Sequence, residues 1–291
     1  MMNRRNLLKT MGVAGAALLP RRAQASESSA NSETVGILVD TTRCVGCRTC
    51  ESACYEANAD SDVVYDEAVD FSAPRRTDDK HFTIVNRFDT DKGEIFVKSS
   101  CMHCLQPACA SACLTKAMHK TRDVKGPVAW DGDKCMGCRY CMVSCPFDMP
   151  KFEYFSANPR IQKCQMCWQR LTKGEQPACV ASCPADALMF GERTRLLHEA
   201  RSRIYNEPER YTDHIYGEHE AGGTNVLYLA GVPFEQLGFP TRIANASYPA
   251  MTREFLYAVP VVITLVPPLM VALRRASIAR KEAEAEHTEG A

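Results

Sequence analysis

The stretch that decides the fold is Cys135-Met136-Gly137-Cys138-Arg139-Tyr140-Cys141-Met142-Val143-Ser144-Cys145-Pro146, a C-x2-C-x2-C-x3-C-P run. Gaps of two residues let a tight turn aim several thiolates at one inorganic core. The fourth cysteine, at the start of a helix, points away toward a neighbouring core. Three related blocks flank this one. Cys44, Cys47, Cys50 and Cys54 open the series, and Cys101, Cys104, Cys109 and Cys113 follow. Cys164, Cys167, Cys179 and Cys183, with Pro184 behind them, close it. These blocks use all 16 cysteines of the chain. At four thiolates per cluster they give four [4Fe–4S] centres, with no ligand missing and none left over. Zinc accepts four cysteines but does not require this run. A disulfide framework would not bunch its cysteines so closely.

Composition narrows the rest. In 291 residues, 35 Lys+Arg balance 35 Asp+Glu, so the chain has no net basic field for nucleic acid. A hydrophobic share of 45% excludes a mostly disordered or mostly transmembrane chain. No Ser/His/Asp order and no Gly-rich nucleotide loop is present, and no spare cysteine remains for a molybdenum or nickel centre. The sequence therefore predicts no catalytic residue. It reads as a wire.

The two ends read as targeting and anchoring segments. Residues 1–25 carry Arg4-Arg5-Asn6-Leu7-Leu8-Lys9, a short apolar run to Leu19, and Ala23-Gln24-Ala25. That is the layout of a twin-arginine export signal with a small-x-small cleavage site. Export by that route carries folded proteins, which suits a domain loaded with cofactors first. Near the other end, Phe255–Leu273 is a 19-residue run without a charge. As a helix it would be about 28 Å long, enough for a hydrocarbon core. Pro260, Pro267 and Pro268 are tolerated there, with a kink expected near Pro267. Arg274, Arg275, Arg280 and Lys281 follow, which puts the tail in the cytoplasm. The expected location is the cytoplasmic membrane, crossed once, with the cysteine-rich part on the periplasmic side.

Spacing alone leaves open which blocks pair. Over roughly Val35–Gly191 the chain resembles the four-cluster ferredoxin-type electron-transfer subunits of membrane oxidoreductases, among them the beta subunits of formate dehydrogenase, dimethyl sulfoxide reductase and nitrate reductase, and the iron–sulfur protein of hydrogenase-2-type complexes. The resemblance implies four ligand sets. The first site would be Cys44, Cys47, Cys50 and Cys183, and the second Cys54, Cys164, Cys167 and Cys179. The third would be Cys101, Cys104, Cys109 and Cys145, and the fourth Cys113, Cys135, Cys138 and Cys141. It departs in two places: Tyr55 and Leu114, not proline, follow Cys54 and Cys113. The implied fold class is α+β, with two intertwined bacterial-ferredoxin-like 2[4Fe–4S] modules. Residues 33–97 with 160–192 form one module and 98–159 the other. A helix and extended partner-docking arm take 193–253, a transmembrane helix 254–273 and a cytoplasmic tail 274–291.

Between the blocks, Val35–Asp40, Glu94–Lys98, Pro127–Trp130 and Ala187–Phe190 read as short strands. Asn58–Lys92 reads as a charged, solvated insert. Lys98, Lys134 and Lys163 stand just before blocks two, three and four and are candidates to raise cluster potentials. Trp130, Phe147 and Trp168 are expected to pack on cluster faces. His103 is not expected to ligate, since the cysteine set is complete. Arg193–Tyr205 predicts an amphipathic helix capped by Thr194, with Leu196, Leu197 and Ala200 on one side. Residues 206–252 show a strand-like run at Asn225–Ala230 but no compact periodicity, and read as an extended arm lying on a partner. His214 and His219 are expected as surface or partner-contact residues.

The function these readings imply is an electron-transfer subunit of a respiratory complex. It would relay electrons between a catalytic subunit, a nickel-iron hydrogenase by preference, and an integral membrane quinone- or haem-binding subunit. The signal peptide and arm favour hydrogenase. A molybdopterin enzyme such as formate dehydrogenase, or a multihaem cytochrome–quinone complex, remains as the alternative partner.

Overall fold

The computed structural model describes residues 34–58 and 70–289. The export signal read at 1–25 and the middle of the charged insert lie outside the described residues.

Val35–Asp40 (β1) reads VGILVD, apolar on both faces, and it is the middle strand of a three-stranded sheet. Leu188–Glu192 (β8) pairs with it antiparallel, and Val226–Leu229 (β9) pairs parallel on its other edge. Alternation then divides the cores. Ile37 and Val39 enter the larger core with Cys50, Cys179 and Tyr228. Leu38 packs on the opposite face with Leu196, Ala200, Leu227 and Leu229. At Gly36 a Cβ would lie 2.2 Å from the Asn225 carbonyl oxygen, so only glycine lets β9 approach.

Block one continues into Thr49–Asn58 (α1). Thr83–Thr90 (β2) and Gly93–Ser100 (β3) form a hairpin that leads into block two. Ala108–Ser111 (α2) carries Cys109. Met118–Lys120 (β4) pairs with Val128–Trp130 (β5), and Tyr140–Val143 (α3) carries Cys141. Lys151–Phe152 (β6) pairs with Ile161–Gln162 (β7) ahead of Trp168–Leu171 (α4) and Ala178–Ala181 (α5). The architecture is α+β, built from short elements hung on cysteine-bearing turns.

Three expectations are corrected. The charged insert is not all solvated loop, because its last part is β2, with Ile84 and Val85 buried. Charge hid this, since the insert is fastened through a buried carboxylate. Glu51 of α1 accepts from Arg48 Nη2 at 3.0 Å, from Arg75 Nη2 at 2.6 Å, and from the Val85 amide. The expected helix forms as Arg193–Asn206 (α6), yet Thr194 does not cap it: Glu192 precedes the first turn, with no side-chain cap.

The third correction is larger. Residues 206–247 fold back on the chain itself. Besides contributing β9, they bury Tyr211, Ile215, Tyr216, Phe234 and Leu237. Tyr216, Tyr228, Phe234 and Phe239 pack edge to face or tilted, with centroids 4.7–5.2 Å apart. The Asp40 carboxylate, 1% exposed, ties these parts together. It accepts from Arg203 Nη1 at 2.9 Å, Tyr211 Oη at 2.8 Å and Thr42 Oγ1 at 2.7 Å.

The chain leaves this body through Tyr248–Glu289 (α7), which contains Pro260, Pro267 and Pro268. Over Tyr248–Arg280 it is long and apolar enough to cross a membrane, and none of its most apolar window is buried.

Candidate metal centres

One local device recurs in all four blocks. The second residue of the first C-x2-C gap in each block is left-handed: Gly46 (φ 71°), His103 (48°), Gly137 (71°) and Met166 (55°). Left-handed residues turn backbone N–H groups toward a common point, a concavity that suits an anionic core. At Gly46 glycine is also required by space, because a Cβ would lie 2.5 Å from the Phe96 ring. A second left-handed residue follows the fourth cysteine by three in blocks two to four, at Lys116, Asp148 and Asp186. Block one departs: Cys54 lies inside α1, which runs on to Asn58. The missing proline after Cys54 permits that. Cys113 also lacks one but keeps the turn.

These turns bring cysteines from distant blocks together. Cys44, Cys47, Cys50 and Cys183 line one cavity, walled by Val39, Val85 and Lys98. Cys113, Cys135, Cys138 and Cys141 line another with Met118, Trp130 and Ile161. Cys104 lies in the field of Cys101, Cys145 and Cys109. Cys54 lies in that of Cys164, Cys179 and Cys167. The four sets implied by the resemblance are spatial neighbours. The sets also neighbour one another in sequence: Cys50 lies in the field of Cys179, Cys164 in that of Cys101, and Cys109 in that of Cys141. The first, second, third and fourth sites therefore stand in that order. Only Cys47 and Cys138 are exposed, one in each terminal set.

Among the described residues no group of three or more Cys, His, Asp or Glu closes tightly enough to grip a single metal ion. A cubane several ångströms across needs a wider ring of thiols, and the two four-cysteine cavities have that form. Burial pushes the Cys50, Cys109 and Cys164 thiols up to about 12. Bare, they would stay protonated at neutral pH; as thiolates they need metal charge beside them. Some ligand sulfurs already accept hydrogen bonds. The Met118 amide donates to Cys113 Sγ and the Met166 amide to Cys164 Sγ, both at 3.3 Å. Thr49 Oγ1 donates to Cys47 Sγ at 3.4 Å.

Two buried ring N–H groups among the described residues are without a partner. His103 Nδ1 accepts from the Val128 amide at 2.9 Å, which leaves the proton on Nε2, and that N–H is orphaned. Burial, with Lys163 and Lys120 nearby, holds this imidazole neutral. The Trp130 indole N–H is likewise unpaired, in a side chain that walls the fourth site. Unpaired buried donors beside cysteine sets fit sulfur acceptors. The residues present fit iron–sulfur clusters.

The three lysines part company. Lys98 and Lys163 are each 3% exposed. Lys163 Nζ donates to the Cys164 carbonyl at 3.0 Å and also to that of Val128, and its charge acts on Cys109 and Cys145. Lys134 is a surface residue paired with Asp131 at 2.7 Å. Phe147 packs in the larger core with Cys50 and Cys179, and Trp168 is half-buried beside Cys167. His214 bonds Glu220 Oε1 at 2.8 Å within its own chain, while His219 is exposed.

Sequence reasoning missed the support that residues 223–226 give to block two. The Asn225 and Val226 amides donate to the His103 and Met102 carbonyls, each at 3.1 Å, and the Leu105 amide to Gly223 at 2.9 Å. The strand-like run at Asn225–Ala230 was the available signal, but nothing in it names the strand or loop it meets.

A family profile described as "4Fe-4S dicluster domain" matches residues 93–193, a span that holds blocks two to four. A protein of Nitratidesulfovibrio vulgaris is 43% identical over 297 residues, covering 97% of this chain and 80% of that one. The hydrogenase-2 operon protein HybA of Escherichia coli O157:H7 is 35% identical over 277 residues, covering 82% of this chain and 84% of its own. The iron–sulfur subunit of the nitrate-inducible formate dehydrogenase of Escherichia coli strain K12 is 33% identical over 207 residues, covering 67% of each chain.

Proposed function

The chain belongs to the ferredoxin-type iron–sulfur electron-transfer proteins related to HybA and the formate dehydrogenase iron–sulfur subunits, and we propose that it is the four-cluster wire of a membrane-bound hydrogenase. At the level of the family it is an iron–sulfur electron-transfer subunit of a respiratory oxidoreductase complex. The finer reading assigns each of the four cysteine sets one [4Fe–4S] cluster. When bound, each cluster supplies a one-electron carrier.

The protein's own residues do the rest. Sixteen cysteines hold the centres, and left-handed turns aim backbone amides at them. Buried apolar side chains such as Val39, Val85, Met118 and Ile161 keep water away and so set the local dielectric. The observation that carries the reading is the linear order of the sets, with the two exposed cysteines, Cys47 and Cys138, at opposite ends. A relay needs one accessible terminus for a donor and another for an acceptor.

Geometry also supports a polarity. The membrane-entering helix α7 packs beside α2, the short helix between Cys104 and Cys113. An apolar cleft between them is walled by Ala108, Ala112, Val143, Cys145, Tyr248 and Leu256. The end of the wire formed by the third and fourth sites is thus assigned to the bilayer side, next to an integral membrane quinone- or haem-binding subunit. The first site is assigned to the catalytic subunit on the periplasmic side. A nickel-iron hydrogenase is favoured because the likeness to HybA covers 82% of the chain, against 67% for the formate dehydrogenase subunit.

Gentle solubilisation of membranes, purification of the full chain with its bound partners and mass spectrometry of the intact complex test this reading. Nickel-iron large and small subunits in near-equal amount are the expected result. A molybdopterin subunit in their place replaces hydrogenase by formate dehydrogenase and leaves the wire standing.

A further inference from the structure

Lys98 is an ammonium in the interior of the protein. It lies on β3, 3% exposed, and its Nζ donates to Ser100 Oγ at 2.9 Å. Among the described residues no Asp or Glu pairs with it. A buried lone charge costs several kcal/mol unless something nearby compensates it. One neutral hydroxyl does not.

The surroundings point to the compensating charge. Lys98 is part of the wall of the cavity ringed by Cys44, Cys47, Cys50 and Cys183, the first site. Its charge also acts on Cys164 and Cys179 of the second site. Cys50 and Cys179 interact with each other, so the lysine sits where the two sets adjoin. Its ammonium has three N–H donors, one of them used on Ser100. A thiolate-ligated cluster is anionic and becomes more so when it takes an electron. A fixed positive charge at the junction therefore favours the added electron at either site.

We propose that Lys98 is a counter-charge shared by the first and second sites, raising both reduction potentials together and keeping the two level. The proposal rests on the reading that both sites hold clusters. Levelling matters at this junction, because a wire stalls where one centre lies far below its neighbour. Lys163 is placed differently: its donors go to main-chain carbonyls and its field falls on Cys109 and Cys145 of the third site. Each buried lysine thus serves its own stretch of the wire. Lys134, exposed and paired with Asp131, serves none.

The test is a potentiometric titration followed by electron paramagnetic resonance, on the full chain in its solubilised complex. Each centre is assigned first by substituting one ligand, such as Cys44→Ser or Cys179→Ser. Lys98→Met and Lys98→Gln are then compared with Lys98→Arg and with Lys134→Met. The expected result in both neutral variants is electron binding weakened about tenfold at two centres at once. That is a fall of about 59 mV in each potential. The fourth-site potential stays in place, Lys98→Arg restores the wild-type values, and Lys134→Met does not move the first two sites.

A shift confined to one centre, or no shift, overturns the shared role. Loss of iron in both neutral variants overturns it too, and makes Lys98 a folding residue. The wild type separates this from the reading beneath it. Fewer than about 16 iron atoms per chain, or fewer than four titrating centres, would remove the four-cluster assignment before any lysine variant is made.

Discussion

At the scale of single residues, the structure sorts side chains that the sequence leaves alike. The cysteines were legible because ligand spacing is a local property, fixed by the turn each block must make. Lys98, Lys134 and Lys163 were not separable, since burial depends on what packs over them from elsewhere. Trp130 shows how a residue can be sharpened by one atom. Its unpaired indole N–H stands in the wall of the fourth site, where a sulfur acceptor would satisfy it. Trp130→Phe keeps most of the ring and removes the donor. It should lower the fourth-site potential by an amount worth a fewfold change in electron binding, with the first two sites unmoved, in the same titration. His81 offers a pH test away from the clusters. Its ring bonds Asp78 at 2.9 Å and stacks on Tyr55, and the Asp78 hydrogen bond raises its pKa above the usual histidine value. The folded state therefore binds the proton more tightly than the unfolded one. The stability this gives is complete below about pH 6.5 and is lost as pH rises through the elevated folded value. Denaturation midpoints of wild type and His81→Gln, compared from about pH 5.5 to 8.5, should converge at the alkaline end.

At the scale of elements, the strands next to the cysteine blocks and helix α6 were readable, whereas the pairing of β1 with β9 was not. Both edges of β1 look equally apolar in VGILVD, and its parallel partner lies nearly two hundred residues further along the chain. The burial in 206–247 comes from aromatic residues separated by turns, a pattern with no period to detect. An arm expected on a partner is instead a wall of the chain's own cluster-binding body. Asp40 is the residue that makes this wall hold. Its carboxylate joins β1 to Arg203 of α6 and to Tyr211 beyond it, in a site where all three are buried. Asp40→Ala leaves the buried Tyr211 hydroxyl and one edge of the Arg203 guanidinium without an acceptor, while Glu199 still holds Arg203 Nε at 2.9 Å, and the cost expected for such unmet buried donors is about 1–3 kcal/mol. Urea denaturation under anaerobic conditions, followed by far-ultraviolet circular dichroism, measures it. A loss below about 1 kcal/mol would mean that the arm is held by its aromatic cluster alone.

At the scale of the whole molecule, the two exposed ends of the cysteine series have different surroundings, and that difference makes a directional prediction. Around the fourth site Leu114, Met136, Tyr140 and Val143 are all large, apolar and 58–84% exposed. Of these, Val143 lines the cleft against α7, and α7 itself is an apolar helix with its most apolar window unburied. An apolar skirt beside a helix apolar enough to cross a membrane suits a partner that is itself embedded in the bilayer. The first site has one comparable residue, Val45, beside exposed Cys47. A charge placed in the centre of either contact should cost at least about 2 kcal/mol of binding, or roughly thirtyfold. Val143→Asp should release the integral membrane subunit and keep the catalytic one, while Val45→Asp should do the reverse. Both variants should keep the full iron content, because neither side chain lies in a core. Subunit composition after detergent solubilisation and size exclusion reads the outcome directly. Should Val143→Asp release the catalytic subunit instead, the polarity of the wire is inverted: the fourth site receives electrons from the catalytic partner, and the helix α7 serves only to hold the complex at the membrane.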